Sequence, residues 1–163
     1  MKWAVSGLLA AAGVLVLGSP ASAQSVIKRG DYLATIMDCG GCHTTGIFLG
    51  KPDSKMYLAG SEVGFQIPGL GIFYPPNLTP DPETGLGKWS EADIIKALRT
   101  GIRPDGRELA PATPWRSYAR ASDADMKALV AYLRSLKPVQ HQVPAIRGPT
   151  EKASDPYLSV VMP

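Results

Sequence analysis

Three stretches of the chain repeat apolar side chains every three or four residues, and the ground between them keeps no period. In the first, Val26, Ile27, Leu33, Ile36 and Met37 fall near helical spacing and predict a helix over Ser25–Met37. Gly30 lies inside it. A glycine there costs about 1 kcal/mol relative to alanine, so Gly30 is expected where another helix crosses closely. In the second stretch Ser90 and Asp93 are spaced as an N-cap and its return partner. Ile94, Ile95 and Leu98 then form an inward face, and Gly101 ends the helix. The third repeats that start with Ser122 and Asp125. Met126, Leu129, Val130, Leu133 and Leu136 give its apolar face, and Pro138 stops it.

Residues 44–89 are rich in Gly and Pro, yet Phe48, Tyr57, Leu58, Phe65, Ile67, Ile72, Phe73, Tyr74 and Trp89 punctuate them. Disordered chain is poor in such residues, so this is expected to be ordered, irregular chain. Asn77-Leu78-Thr79-Pro80-Asp81 and Glu83-Thr84-Gly85 look like consecutive turns. Residues 102–118 are loop again, with Pro104, Pro111 and Pro114. From Val139 four further prolines and no period predict a tail, 139–163, laid on the surface or partly free. The fold class expected is all-α: about three main helices with long irregular loops, in one domain over 24–138.

Residues 1–23 follow a different pattern. Lys2 opens them, Leu8–Leu17 is a short apolar core, and Ala21-Ser22-Ala23 is a small-residue cleavage site. They read as an export signal cleaved after Ala23. The alternative, an uncleaved anchor, needs an apolar run of about 20 residues, and this one is shorter. No membrane span is expected after cleavage. Composition adds little: 45% hydrophobic and 19% charged residues are ordinary, and 17 glycines with 15 prolines fit the loops. The net charge of +3 is weak, and no basic stripe with interleaved aromatics points to nucleic acid.

The chemistry is concentrated in Cys39-Gly40-Gly41-Cys42-His43, a C-x-x-C-H motif, the attachment signature of a c-type haem. On one helical turn the two cysteines share a face, so both thiols can reach the vinyl edges of a porphyrin. His43 follows directly and can offer an imidazole nitrogen to the iron. Gly40 and Gly41 carry no side chains and let the backbone approach the ring. Three other readings fit less well. A zinc site needs more Cys or His than His141 supplies. A redox dithiol wants a surrounding β-α-β pattern that is not visible. A plain disulfide leaves His43 unexplained. Export agrees with the haem reading, because thioether attachment takes place outside the cytoplasm.

With that motif near the start of the mature chain and Ala131-Tyr132-Leu133-Arg134-Ser135-Leu136 in the last helix, residues 25–138 resemble a class I cytochrome c domain. Arg29-Gly30-Asp31-Tyr32-Leu33-Ala34 is similar to the family's first helix. Pro76-Asn77-Leu78-Thr79-Pro80-Asp81, Thr84-Gly85-Leu86-Gly87 and Trp89-Ser90 resemble the cytochromes that accompany periplasmic alcohol, aldehyde and other dehydrogenases. The resemblance implies a small cytochrome c fold on one covalent haem c, with Gly30 on the first helix crossing Tyr132 on the last. It further implies that Asn77 and Trp89 contact the haem propionates, the alternatives being a turn at Asn77 and core packing at Trp89. Tyr118 is expected at the distal edge or as a loop anchor.

The sequence departs from that family at one place. Where members carry a Met as second axial ligand, in a segment resembling P-A-M-P-[WY]-x-x-Y, this chain has Pro111-Ala112-Thr113-Pro114-Trp115-Arg116-Ser117-Tyr118. A hydroxyl is a hard, weak donor beside a thioether, and Thr is shorter than Met. The replacements that remain open are no protein ligand or a water, Met56, Met126, His141, and, less fittingly, Met37 or Met162. Two functions follow. The first is a periplasmic electron carrier, not itself an enzyme, between a dehydrogenase upstream and an oxidase or another cytochrome downstream. The second is a haem protein open at the distal position beside Thr113, binding or sensing a small ligand or reacting with peroxide. Arg103, Arg107 and Arg116 are expected to be solvated or paired with propionates.

Overall fold

The computed structural model describes residues 20–161. Most of the expected export signal, and Met162, lie outside the described residues. The elements run α1 (Pro20–Ile36), α2 (Cys39–His43), two 3₁₀ turns (Ile47–Leu49 and Ser54–Met56), β1 (Gly64–Ile67) and β2 (Gly71–Phe73). Then come α3 (Glu91–Thr100), α4 (Trp115–Tyr118), α5 (Asp123–Ser135) and β3 (Tyr157–Leu158).

The three long helices are those that the apolar spacing predicts. α3 begins in a full capping box: Ser90 Oγ accepts from the Asp93 N–H at 3.1 Å, and the Ser90 N–H donates to Asp93 Oδ2 at 2.9 Å. It ends on Gly101 at φ 74°. α5 begins on Ser122, whose hydroxyl accepts from the Asp125 N–H at 3.1 Å. α1 starts at Pro20 and so runs through the expected cleavage point after Ala23.

α1 and α5 cross on Gly30. A Cβ at position 30 would lie 2.1 Å from the Ala128 carbonyl oxygen and 2.5 Å from Tyr132 Cβ, so only hydrogen fits there. Leu33 and Ala34 of α1 meet Ala128, Leu129, Tyr132 and Leu133 of α5, and Leu58 closes the cluster. Arg29 Nε and Asp125 Oδ1, 2.8 Å apart, clamp the two helices at the rim.

The all-α expectation needs correction. Within 44–89 a hairpin forms, with Phe65 opposite Phe73 and Ile67 opposite Gly71. Its turn is Ile67-Pro68-Gly69-Leu70, closed by the Leu70 N–H on Ile67 O at 3.0 Å, with Gly69 at φ 77°. Proline at the second place and a positive-φ glycine at the third suit this turn. The signal was legible as Pro-Gly, but the flanking strands are only four and three residues long. The tail supplies the third strand: β3 pairs parallel with β1, Gly64 opposite Tyr157. The tail is laid on the surface, one of the two expected courses, and its backbone pairing tells against the other, a partly free one. Backbone pairing of Ile72 with Arg147 fixes it midway.

Candidate functional site

α1 delivers the chain directly into the C-x-x-C-H turn. Met37 N–H still bonds to Leu33 O at 2.9 Å, and then Asp38 turns the chain with φ 53° and ψ 38°. Asp is among the few non-glycine residues that enter this left-handed region readily. Cys39–His43 follows as one helical turn, with both cysteines as free thiols three residues apart. Tyr118 Oη donates to Met37 O at 2.9 Å, so α4 is fastened to the chain just before the cysteines.

The thiols are electrostatically quiet. Burial pushes Cys39 up to about 11, with Asp38 adding to the shift, and Cys42 moves up for the same reasons. Reactive dithiols have lowered values, so this arrangement does not suit a redox dithiol. Among the described residues no cluster of three or more His, Cys, Asp or Glu could hold a metal ion, which removes the zinc reading.

His43 is oriented by the backbone. Its Nδ1 lies 2.8 Å from Pro76 O. A carbonyl only accepts, so Nδ1 carries the proton and donates. Nε2 takes no partner among the described residues, so that nitrogen keeps its lone pair available. Burial pushes the imidazole pKa below its ordinary value, against the smaller opposite effect of the Pro76 carbonyl. The neutral ring is the form that binds metal. Behind His43 the chain is cross-tied. Gly60 N–H donates to His43 O at 2.8 Å, Leu58 N–H to Thr44 Oγ1 at 3.4 Å, and Leu78 N–H to Leu58 O at 2.8 Å. Leu58 is fully buried with φ 58°, a conformation that leucine adopts only when its surroundings impose it.

The other expected residues divide by use. Asn77, 2% exposed, donates from Nδ2 to Thr84 Oγ1 at 3.0 Å and Val139 O at 2.7 Å. Its Oδ1 accepts from the Thr79 N–H at 2.9 Å and hydroxyl at 2.8 Å. Both amide hydrogens are taken, so Asn77 joins two loops rather than offering a donor outward. Trp89 carries the Arg103 guanidinium 5.1 Å from its ring centre and accepts from Arg134 on its carbonyl at 2.6 Å. Arg103 Nε is buried without a hydrogen bond, 3.3 Å from Asp105 Oδ2. Arg107 stands beside it, its pKa lowered by burial and by the Arg103 charge. Arg116 stacks on Trp115 at 4.5 Å. The two motif glycines meet protein: a Cβ on Gly40 would lie 2.9 Å from the Tyr57 ring, and one on Gly41 2.3 Å from the Asp38 carboxylate.

Of the axial candidates, Thr113 is partly buried in a turn closed by its own N–H on Ala110 O at 2.8 Å. Met126, 1% exposed, is enclosed in the core. Met37 packs against the α1–α5 cluster. Met56 ends a 3₁₀ turn on the chain that backs His43. His141 Nδ1 bonds to Ala59 O at 2.8 Å, next to the Gly60 amide that holds His43. His141 and Met56 thus both belong to chain that supports His43, and not to the Thr113 turn.

Sequence reasoning missed Pro76, Leu58 and Thr84 as parts of the site. Pro76 acts through a carbonyl, which every residue has, and Leu58 through a backbone angle. Neither leaves a mark in side-chain chemistry.

A family model described as Cytochrome c matches residues 27–137. "Alcohol dehydrogenase (quinone), cytochrome c subunit" of Gluconobacter oxydans (strain 621H) is 42% identical over 129 residues, covering 77% of this chain and 25% of that protein. "Fructose dehydrogenase cytochrome subunit" of Gluconobacter japonicus is 40% identical over 134 residues, 80% of this chain and 26% of that protein. "Gluconate 2-dehydrogenase cytochrome c subunit" of Pantoea cypripedii is 38% identical over 132 residues, 81% of this chain and 28% of that protein. The chain thus spans about a quarter of the length of these relatives.

Proposed function

Because this chain belongs to the cytochrome c family, we propose that it is a periplasmic electron carrier, accepting one electron from a dehydrogenase and passing it to an oxidase or another cytochrome. Cys39 and Cys42 would hold one haem c through thioethers, and His43 Nε2 would ligate its iron. When bound, the haem supplies a one-electron ferric–ferrous couple. The observation that carries the reading is the His43 Nδ1–Pro76 O hydrogen bond beside two unpaired thiols on the same turn. A carbonyl partner on the far ring nitrogen fixes the tautomer and orients the ring of a metal-bound histidine. Cys39, Cys42 and the Tyr118–Met37 tie hold the attachment turn rigid, so little has to move when charge changes. The dehydrogenase names of the relatives support the upstream partner. The export-signal pattern in the sequence of residues 1–23 supports the compartment. Trp89 and the Arg103 stacked on it are proposed to face the propionates, the guanidinium lying 5.1 Å over the Trp89 ring with its Nε paired to Asp105.

A second reading, a haem open at the distal position, draws on one observation. Met126 is enclosed by core and His141 is tied to Ala59 O, while Thr113 occupies the distal segment. Optical spectra of the exported protein, oxidised and reduced, with and without CO, test both. Thioether-bound haem with a sulfur-to-iron charge-transfer band and no CO response supports a simple carrier. Immediate CO uptake by the ferrous form supports the open position. Absence of covalent haem, or its survival in Cys39→Ala/Cys42→Ala, overturns both.

A further inference from the structure

The Cytochrome c match ends at residue 137, and the chain beyond it turns back onto the loop that holds His43. Val139 O accepts from Asn77 Nδ2 at 2.7 Å, and the Val139 N–H donates to Thr79 Oγ1 at 3.2 Å. The His141 N–H donates to Thr84 Oγ1 at 3.0 Å, and His141 Nδ1 donates to Ala59 O at 2.8 Å. Thr84 Oγ1 is saturated: it accepts from Asn77 and His141 and gives its proton to Asp81 Oδ1 at 2.8 Å. Val143 closes over Gly60, where a Cβ would lie 2.4 Å from Val143 Cγ1 and 3.0 Å from Pro75 O. These contacts converge on the two groups that touch His43. Gly60 N–H holds the His43 carbonyl, and Pro76, between Pro75 and Asn77, holds Nδ1.

We propose that residues 139–143 form a strap that sets the Pro76–His43 hydrogen bond, and through it the redox potential, with Thr84 and His141 as positioning residues. This rests on the reading of His43 as the iron ligand. Pro76 is a carbonyl on a loop, and nothing in its own side chain fixes the oxygen at 2.8 Å. The strap holds it through Asn77, the residue after Pro76, which donates to Val139 O at 2.7 Å; on the other side of Pro76 the Ser61 N–H donates to Pro75 O at 3.1 Å. A firm Nδ1–H···O bond gives the imidazole more negative character and makes Nε2 a better donor, which favours ferric iron and lowers the potential. Loosening the strap lets Pro76 O retreat, weakens that bond and raises the potential. β3 and the Arg147–Ile72 pairing anchor the far end of the tail on the hairpin, so the strap is held at both ends.

The test compares the haem-loaded, full-length protein with Thr84→Val, His141→Ala, His141→Gln and Gln142→Ala. It reads the midpoint potential by spectroelectrochemistry and the His43 Nδ1 proton resonance of the ferrous form by NMR. Thr84→Val and His141→Ala are expected to shift the ferric–ferrous equilibrium about threefold toward ferrous, about 28 mV upward for one electron. The Nδ1 proton should move upfield with them. His141→Gln, whose amide can still donate to Ala59 O, should return potential and resonance most of the way to wild type, and Gln142→Ala, whose side chain bonds to the neighbouring Val143 O and not to the His43 loop, should leave both unchanged. If Thr84→Val fails to load haem, His141→Ala decides alone, because its backbone bond to Thr84 persists. Variants that melt earlier but keep the potential and the resonance overturn the strap while leaving the carrier reading intact. A wild type without thioether-bound haem overturns both.

Discussion

Replacing Gly30 with alanine sets two effects of known sign against each other. Alanine is the better helix former by about 1 kcal/mol, so helix propensity alone predicts a gain. The crossing predicts a larger loss. The new methyl would begin 2.1 Å from the Ala128 carbonyl oxygen and 2.5 Å from Tyr132 Cβ. Ordinary carbon contacts lie near about 3.5 Å or beyond, so α1 and α5 must part by about 1 Å, because backbone cannot swing aside. That separation thins the contacts of Leu33 and Ala34 with Leu129 and Leu133 and stretches the 2.8 Å Arg29–Asp125 bridge. Overpacking a close-fitted core costs about 1–3 kcal/mol, and a clash with backbone belongs at the top of that range. The net loss is then about 2 kcal/mol, which lowers the melting temperature by about 4–8 °C for a chain of this size. The assay is thermal unfolding of the haem-loaded protein followed by far-ultraviolet circular dichroism. Because α1 runs into Cys39, haem incorporation during expression should fall as well. A Gly30→Ala protein that melts at or above the wild-type temperature would refute the close crossing, since propensity would then be the larger effect.

Asn77→Ala removes four hydrogen bonds and leaves the buried Thr79 N–H unpaired, so the holoprotein should lose about 2–4 kcal/mol in denaturant titration; a change under about 0.5 kcal/mol would contradict the network. Thr113→Met should supply sulfur at the distal segment, block CO binding to ferrous protein and raise the midpoint potential by more than about 59 mV, one tenfold step; an unchanged CO response would mean that the Ala110–Thr113 turn does not face the iron. The Arg29 and Ser122 hydrogen bonds hold the Asp125 carboxyl below its ordinary value, so its contribution to stability is present above about pH 4 and is lost as pH falls through the lowered folded value. Asp125→Asn should flatten the acid limb of the stability profile while leaving the slope above about pH 6 unchanged, and an unaltered acid limb would count against the bridge.

Much of the fold was written in local pattern. Apolar spacing marked α1, α3 and α5; Ser90–Asp93 and Ser122–Asp125 marked two starts; Gly101 marked an end. C-x-x-C-H marked the turn Cys39–His43, Gly30 marked a close crossing, and the family resemblance named Tyr132 as its partner. These are signals carried by neighbours in sequence, or by a residue that only one environment tolerates. The sheet was not legible in the same way. Its strands are two to four residues long, and β3 joins β1 across more than ninety residues, which no local period records. The tail was expected on the surface or partly free, and its pairing went unread because prolines hide a segment whose order comes from its partners. The same limit applies at the site. Cys39, Cys42 and His43 carry their chemistry in side chains and could be named from sequence. What orients His43 is a proline carbonyl, held by an asparagine, two threonines and a strap from the chain's far end. Backbone carbonyls are alike at every position, so only tertiary structure decides which one meets the imidazole.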